Sequence, residues 1–284
     1  MAMGPAARRW RSLVRARRKE IERLSGGHDR TDTRYWERRA KRFAARLEGT
    51  AEGDPLTARL RRLCGARTTV LDVGSGPGRF ALAIAPRVAQ VVALDPSRAM
   101  LTILRREVRR QGLTNVRTVE GSWPDAARHT APVDVAFSSY VLPIVEDAPA
   151  FLRGLDTVAR RHAVLYLGAF TSDAVVDPLW RHFHGTPRRP GPTWLDAVAV
   201  LREIGIDPQV EVVEVASRTR FATLAEAVRD YRDLLVLPDT AEVRRELGGL
   251  LRSWLVPTTG GALRPPIASL PAAVIRWDPS GGYG

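Results

Sequence analysis

Two carboxylates and three glycines make up the most chemically pointed group in the chain. Val70-Leu71-Asp72-Val73 runs directly into Gly74-Ser75-Gly76-Pro77-Gly78, and Asp95 stands 21 residues beyond Gly74. Glycines admit positive φ and let a ligand approach the backbone closely. An acid ending the next strand can accept both hydroxyls of a ribose. The dinucleotide fingerprint G-x-G-x-x-G seats a pyrophosphate on a helix N-terminus. Here the spacing is G-x-G-x-G, and Asp72 lies two residues before the first glycine. A carboxylate at that point repels a diphosphate and suits a cationic α-amino group.

The elements that must position these residues alternate. Thr69–Val73, Gln90–Asp95, 116–120, 133–137 and 163–167 read as short buried strands, separated by helical runs at 80–88, from Ser97 to about 111, and at 147–160. That order predicts a mostly parallel sheet with helices on both faces. Beyond 171, helices are predicted at 177–184, 194–204, about 222–236 and 239–255, with strands at 210–216 and 272–277. Ahead of the sheet, Trp10, Leu13, Val14, Ile21 and Leu24 keep helical spacing in a basic amphipathic stretch. A second helix starts near Asp32, and Asp54-Pro55 reads as cap and first residue of a third.

Adenosine with an amino-acid tail and no phosphate describes S-adenosylmethionine. Residues 69–80 and 91–101 resemble the first two motifs of the class I SAM-dependent methyltransferases, as Val-Leu-Asp-Val-Gly-Ser-Gly-Pro-Gly and Val-Ala-Leu-Asp-Pro-Ser-Arg-Ala-Met-Leu. The likeness continues through Asn115-Val116-Arg117, Glu120-Gly121-Ser122-Trp123 and Val133–Tyr140, so it covers about 65–170. It implies a Rossmann-like, doubly wound, mostly parallel seven-stranded sheet. Residues 1–64 would form a basic helical extension, and 65–284 the methyltransferase domain with a helical insertion at about 219–262. The resemblance puts the methionine part on Asp72, Gly74, Ser75, Gly76 and Gly78, and the ribose on Asp95, followed by Pro96. Met100 would pack near the adenine, with Gly121, Ser122 and Trp123 flanking it; many relatives have an acid in place of Ser122. Ser138, Ser139 and Tyr140 would border the sulfonium, and Tyr35 and Trp36 would close the pocket. Local alternatives stand beside these roles: turn chemistry for the glycines, a turn start at Asp95-Pro96, and core packing for Met100, Trp123, Tyr35 and Trp36.

Methyl transfer from a sulfonium is an in-line displacement whose donor is already activated, so alignment can supply most of the acceleration. A base is needed only if the acceptor must lose a proton. Tyr140, and His182 and His184 in Trp180-Arg181-His182-Phe183-His184, are the candidates for that task. A histidine near a helix end is more often a plain surface residue than a catalytic one, and the pair has no third metal-ligand candidate better than Asp173 or Asp177. The Asn/Asp-Pro-Pro-aromatic signature of amino methyltransferases is missing after 133–137, where Ser139-Tyr140-Val141-Leu142 stands.

Composition bounds the rest. The 284 residues are 44% hydrophobic and 26% charged, enough to bury a sizeable core. No apolar run reaches the roughly 18–20 residues of a membrane span. One cysteine, Cys64, admits no internal disulfide, and with no apolar leader this predicts a cytoplasmic setting. Net charge is +13, and residues 1–62 hold 18 of the 44 basic residues but only 8 of the 31 acids. The expected reading is a methyltransferase acting on a small-molecule acceptor, with a hydroxyl as the candidate nucleophile. The alternatives are an RNA methyltransferase using the Arg-rich start as its phosphate surface, and a non-catalytic SAM-binding protein. Oligomeric state is not legible.

Overall fold

Capping and helix-starting residues set most element boundaries in the computed structural model, which describes residues 3–26, 33–168 and 173–279. Three helices come first: α1 (Pro5–Leu24), α2 (Thr33–Leu47) and α3 (Pro55–Leu63). α1 starts on Pro5, and Asp54 caps α3 by accepting the Leu56 N–H. The alternating region follows as β1 (Thr69–Val73), α4 (Arg79–Ile84), β2 (Gln90–Asp95), α5 (Arg98–Arg110), β3 (Val116–Glu120), β4 (Val133–Ser139), α6 (Ala148–Val158) and β5 (Ala159–Gly168). The remainder is α7 (Asp173–His184), α8 (Trp194–Glu203), β6 (Gln209–Ala216), α9 (Leu224–Leu234), α10 (Ala241–Trp254), the two-residue strands β7 (Val256–Pro257) and β8 (Leu263–Arg264), and β9 (Ser269–Trp277).

The large sheet has the order β3-β2-β1-β4-β5-β9-β6. β1 to β5 run parallel, and β9 is antiparallel to both of its neighbours. The expected seven-stranded, mostly parallel α/β sheet is therefore present. Strand order reverses at β1, which has β2 on one side and β4 on the other, so the ligand crevice lies outside the carboxyl ends of β1 and β4.

Of the boundaries that differ from the sequence reading, two have a plain local cause. The helix expected over 80–88 stops at Ile84, and Ala85–Arg87 tightens to a 3₁₀ turn, because Pro86 has no N–H to continue an α-helix. The helix expected to reach 160 ends at Val158, since Ala159 already pairs with Val133 of β4.

Apolar residues fill both faces of the sheet. α3, α4 and α5 cover one face with Leu56, Leu60, Phe80, Leu101 and Leu104. α1, α6 and α8 cover the other, where Trp10 and Val14 of α1 join Phe151, Leu155 and Leu201 in one cluster. Trp10 is fully buried, and its indole N–H donates to the Val145 carbonyl at 2.8 Å. A third cluster unites α7, α9 and α10 through Trp180, Tyr231 and Leu247.

Candidate functional site

The glycine turn is tied to the end of β2. The backbone N–H groups of Gly74 and Ser75 both donate to the Leu94 carbonyl, at 2.8 and 3.0 Å, and Gly78 N–H donates to the Ser75 carbonyl at 2.9 Å. Gly74 has φ +74°, and a Cβ there would lie 2.3 Å from Val141 Cγ2, so only glycine fits. Gly76, at φ +52°, faces open space instead: the nearest atom to a Cβ there is Phe43 Cε1, at 3.9 Å.

Asp72 is buried beneath this turn, and its Oδ1 has no hydrogen-bond partner among the described residues. The buried Ser75 Oγ is orphaned in the same way. Burial, then the nearby charge of Asp95, pushes the Asp72 carboxyl up to about 8. Asp95 Oδ2 accepts the Gly76 N–H and Oδ1 accepts the Ser97 N–H, both at 2.8 Å. Burial raises the Asp95 carboxyl, and these two donors pull it back. The Ala81 N–H reaches this carboxyl, but a buried carboxylate oxygen left without a donor is costly, and an ammonium group would supply the donor that Oδ1 lacks. The residues thus fit the methionine end of S-adenosylmethionine, with Asp95 at the ribose end of the same turn.

The other predicted residues divide. Ser97 caps α5 and seats the buried Met100 behind the turn, while Pro96 and Ser122 are exposed. Gly121 N–H donates to the Asp95 carbonyl at 3.2 Å, which brings the end of β3 beside Asp95. Trp123 packs under α6: its indole N–H donates to the Phe151 carbonyl at 3.0 Å and its ring lies edge-on to Phe151. Ser138 is buried and donates to the Val73 carbonyl at 2.9 Å, and Ser139 pairs with Tyr166 across β4 and β5. Tyr140 follows at φ +60°, with its ring 5.2 Å from that of Tyr166. Desolvation, then the charge of Asp54, raises the phenol of the half-exposed Tyr140, and burial, then Tyr140, raises that of Tyr166. Tyr35 and Trp36 stack edge-on in α2, and Trp36 packs in turn on Phe43.

His182 and His184 lie on the last turn of α7, turned toward α10 and α9. His182 Nε2 is 2.7 Å from Glu246 Oε1; His184 Nε2 is 2.8 Å from the Leu235 carbonyl and its ring stacks on Trp180. Neither lines the cavity described next.

A cavity of about 710 Å³ opens between α2, α7, α9 and the segment after β6. It adjoins the glycine turn through Phe43 and Arg79, both on its wall. Arg79, the first residue of α4, pairs at 2.6 Å with the buried Asp54, and its Nε has no partner among the described residues. Sequence reasoning saw Asp54 only as a helix cap and passed over Arg79, Phe43 and Tyr166. Arg79 had one signal, its place directly after Gly78; the others become neighbours only in the fold.

Many of the N-terminal arginines are engaged within the chain. Arg9 pairs with Asp196, Arg11 with Asp147, and Arg15 and Arg18 with Glu146. From α2, Arg39 and Arg42 reach Asp233, and Arg42 and Arg46 reach Asp230.

Comparison with known proteins matches residues 70–162 to a family described as "Methyltransferase domain". An uncharacterised protein of Haemophilus influenzae is 27% identical over 64% of this chain and 67% of its own length. The malonyl-[acyl-carrier protein] O-methyltransferase of Xylella fastidiosa is 32% identical over 38% of this chain, and the tRNA 5-carboxymethoxyuridine methyltransferase of Escherichia coli K12 is 29% identical over 45%. The chain spans only 37% and 53% of those two relatives' own lengths. The fold is shared with the crystal structure of the YcgJ protein of Bacillus subtilis, at a TM-score of 0.51 and 17% identity over 80% of this chain and 98% of that one. The family match lies on the strands that build the turn around Asp72 and Asp95, and residues 70–162 carry a domain of the methyltransferase family.

Proposed function

We propose that the chain transfers a methyl group in-line to a nucleophilic atom, an oxygen in the leading case, of a small-molecule acceptor held in the cavity beside Arg79. S-adenosylmethionine supplies a methyl group already activated on a sulfonium. The Asp72 carboxylate takes the α-ammonium, Asp95 takes the ribose hydroxyls, and the backbone at Gly74, Ser75 and Gly76 gives room for close approach. Met100 and Gly121 border the adenine end, and Ser138, Ser139 and Tyr140 the sulfonium end. α2, with Tyr35, Trp36 and Phe43, screens the site from water, which favours a single aligned approach. A phenol keeps its proton at neutral pH, so Tyr140 acts there as a hydrogen-bond donor. We assign His182 and His184 to fixing α7 against α10 and α9.

The orphaned Asp72 Oδ1 carries this reading, since an ammonium group donates a hydrogen bond to it and a diphosphate has no donor to offer. Titration calorimetry tests it: S-adenosylhomocysteine should bind, and NADH should give no heat. Labelled methyl from S-adenosylmethionine should then appear in a small-molecule fraction of cell extract. Tight NADH binding with no response to S-adenosylhomocysteine would reverse the assignment. The tRNA relative supports the RNA alternative, but the carboxylate partners of Arg9, Arg11, Arg15 and Arg18 favour the small acceptor.

A further inference from the structure

The wall of the cavity has an unbalanced charge set. Five arginines line it (Arg39, Arg46, Arg79, Arg218 and Arg220) against three acids, Glu48, Asp230 and Asp233. Asp230 and Asp233 are already matched by Arg39, Arg42 and Arg46 across the α2–α9 contact. Arg79 is matched by Asp54 from behind the wall. Arg218 and Arg220 have no carboxylate partner among the described residues. Arg218 donates to the carbonyls of Gly49 and Glu52, the first at 2.9 Å. Arg220 donates to Ser217 and Thr219, at 3.1 and 2.8 Å. Each interaction with a carbonyl leaves a full positive charge uncompensated at the cavity. The same wall carries the apolar side chains of Phe43, Val176, Phe221, Tyr231, Leu234 and Ile267. A cavity with both guanidinium groups and apolar side chains on its wall selects an amphipathic anion, because the fork of a guanidinium matches the oxygens of a carboxylate or phosphate.

We infer that the acceptor is a small amphipathic acid whose carboxylate or phosphate head is gripped by Arg218 and Arg220 while its apolar body lies along Phe43, Phe221 and Tyr231. This rests on the reading of the cavity as the acceptor site. It adds a specificity device on the segment between β6 and α9, outside the matched family domain.

The test uses the full chain with three probes of equal tail length, decanoate, decyl phosphate and decanol, titrated with S-adenosylhomocysteine present. One or both acids should bind about tenfold or more tightly than decanol, and the stronger of the two identifies the head group. R220Q should remove that preference and R220K should retain most of it, with S-adenosylhomocysteine affinity unchanged in both. R220Q is preferred to a change at Arg218, whose bonds to Gly49 and Glu52 also hold the loop. Equal binding of acid and alcohol, no binding of any probe, or identical behaviour of R220Q and R220K would overturn the inference. Failure of S-adenosylhomocysteine to bind would instead strike the cofactor reading, while the acid-to-alcohol ratio would still report on the cavity.

Discussion

Asp72 sets the energetics of the site at the residue scale. Its carboxyl is raised from 3.8 to about 8, so the folded chain holds a proton that the unfolded chain has released. Its contribution to stability is therefore complete below about pH 4 and is lost progressively as pH rises through 8. Without added cofactor, melting temperature should fall between pH 5 and 8, and in D72N that part of the slope should vanish. On the proposed reading the same substitution also removes the partner of the ammonium group. D72N should thus melt higher than the parent at pH 8 yet bind S-adenosylhomocysteine about 10- to 150-fold more weakly, the worth of a hydrogen bond to a charged group. At pH 7, ligand binding should expel about one proton from Asp72. Calorimetry in buffers of different ionisation enthalpy would measure it, and zero release would mean that Asp72 does not receive the ammonium. Asp72 and Asp95 were both legible because strand, turn and strand fix their positions along the chain. The missing partner of Asp72 Oδ1 was not, since burial is a property of what packs on top.

At the scale of elements, α1 is a structural part of the sheet's covering. Its periodicity was readable, but the same basic amphipathic pattern suits a membrane surface, a partner or its own domain. The fold decides for the last: Trp10 and Val14 enter the cluster shared with α6 and α8, and the Ala6 and Ala7 N–H groups donate to Glu203 at the end of α8. W10A should cost about 3–5 kcal/mol, read as a shifted urea midpoint for the whole chain. An unchanged midpoint would mean that the extension folds separately. α7 had the converse difficulty. Its two histidines drew attention as acid–base candidates, yet sequence cannot tell which side of a helix meets which neighbour: His182 meets Glu246, and His184, on another side, meets the Leu235 carbonyl.

Across the whole molecule, the excess positive charge of residues 1–62 is spent largely on holding that segment to acids elsewhere, at positions 146, 147, 196, 211, 230 and 233. Exposed pairs of this kind contribute about 0–1 kcal/mol each and are screened by salt. The triple change R11Q/R15Q/R18Q should accordingly lower the melting temperature by a few degrees, with the difference shrinking in about 1 M salt. Affinity for a single-stranded RNA at physiological salt should stay within about twofold. A large loss of RNA affinity would restore the basic segment as a phosphate surface. The alternation of strand and helix, the glycine spacing and the two acids were determined by the sequence alone, because each is a local pattern with a local physical cause. The tertiary structure alone decided which cations keep a free charge, where the cavity lies and what lines it. Arg79, Arg218, Phe43 and Tyr231 stand far apart in the chain, and only packing brings them to one wall.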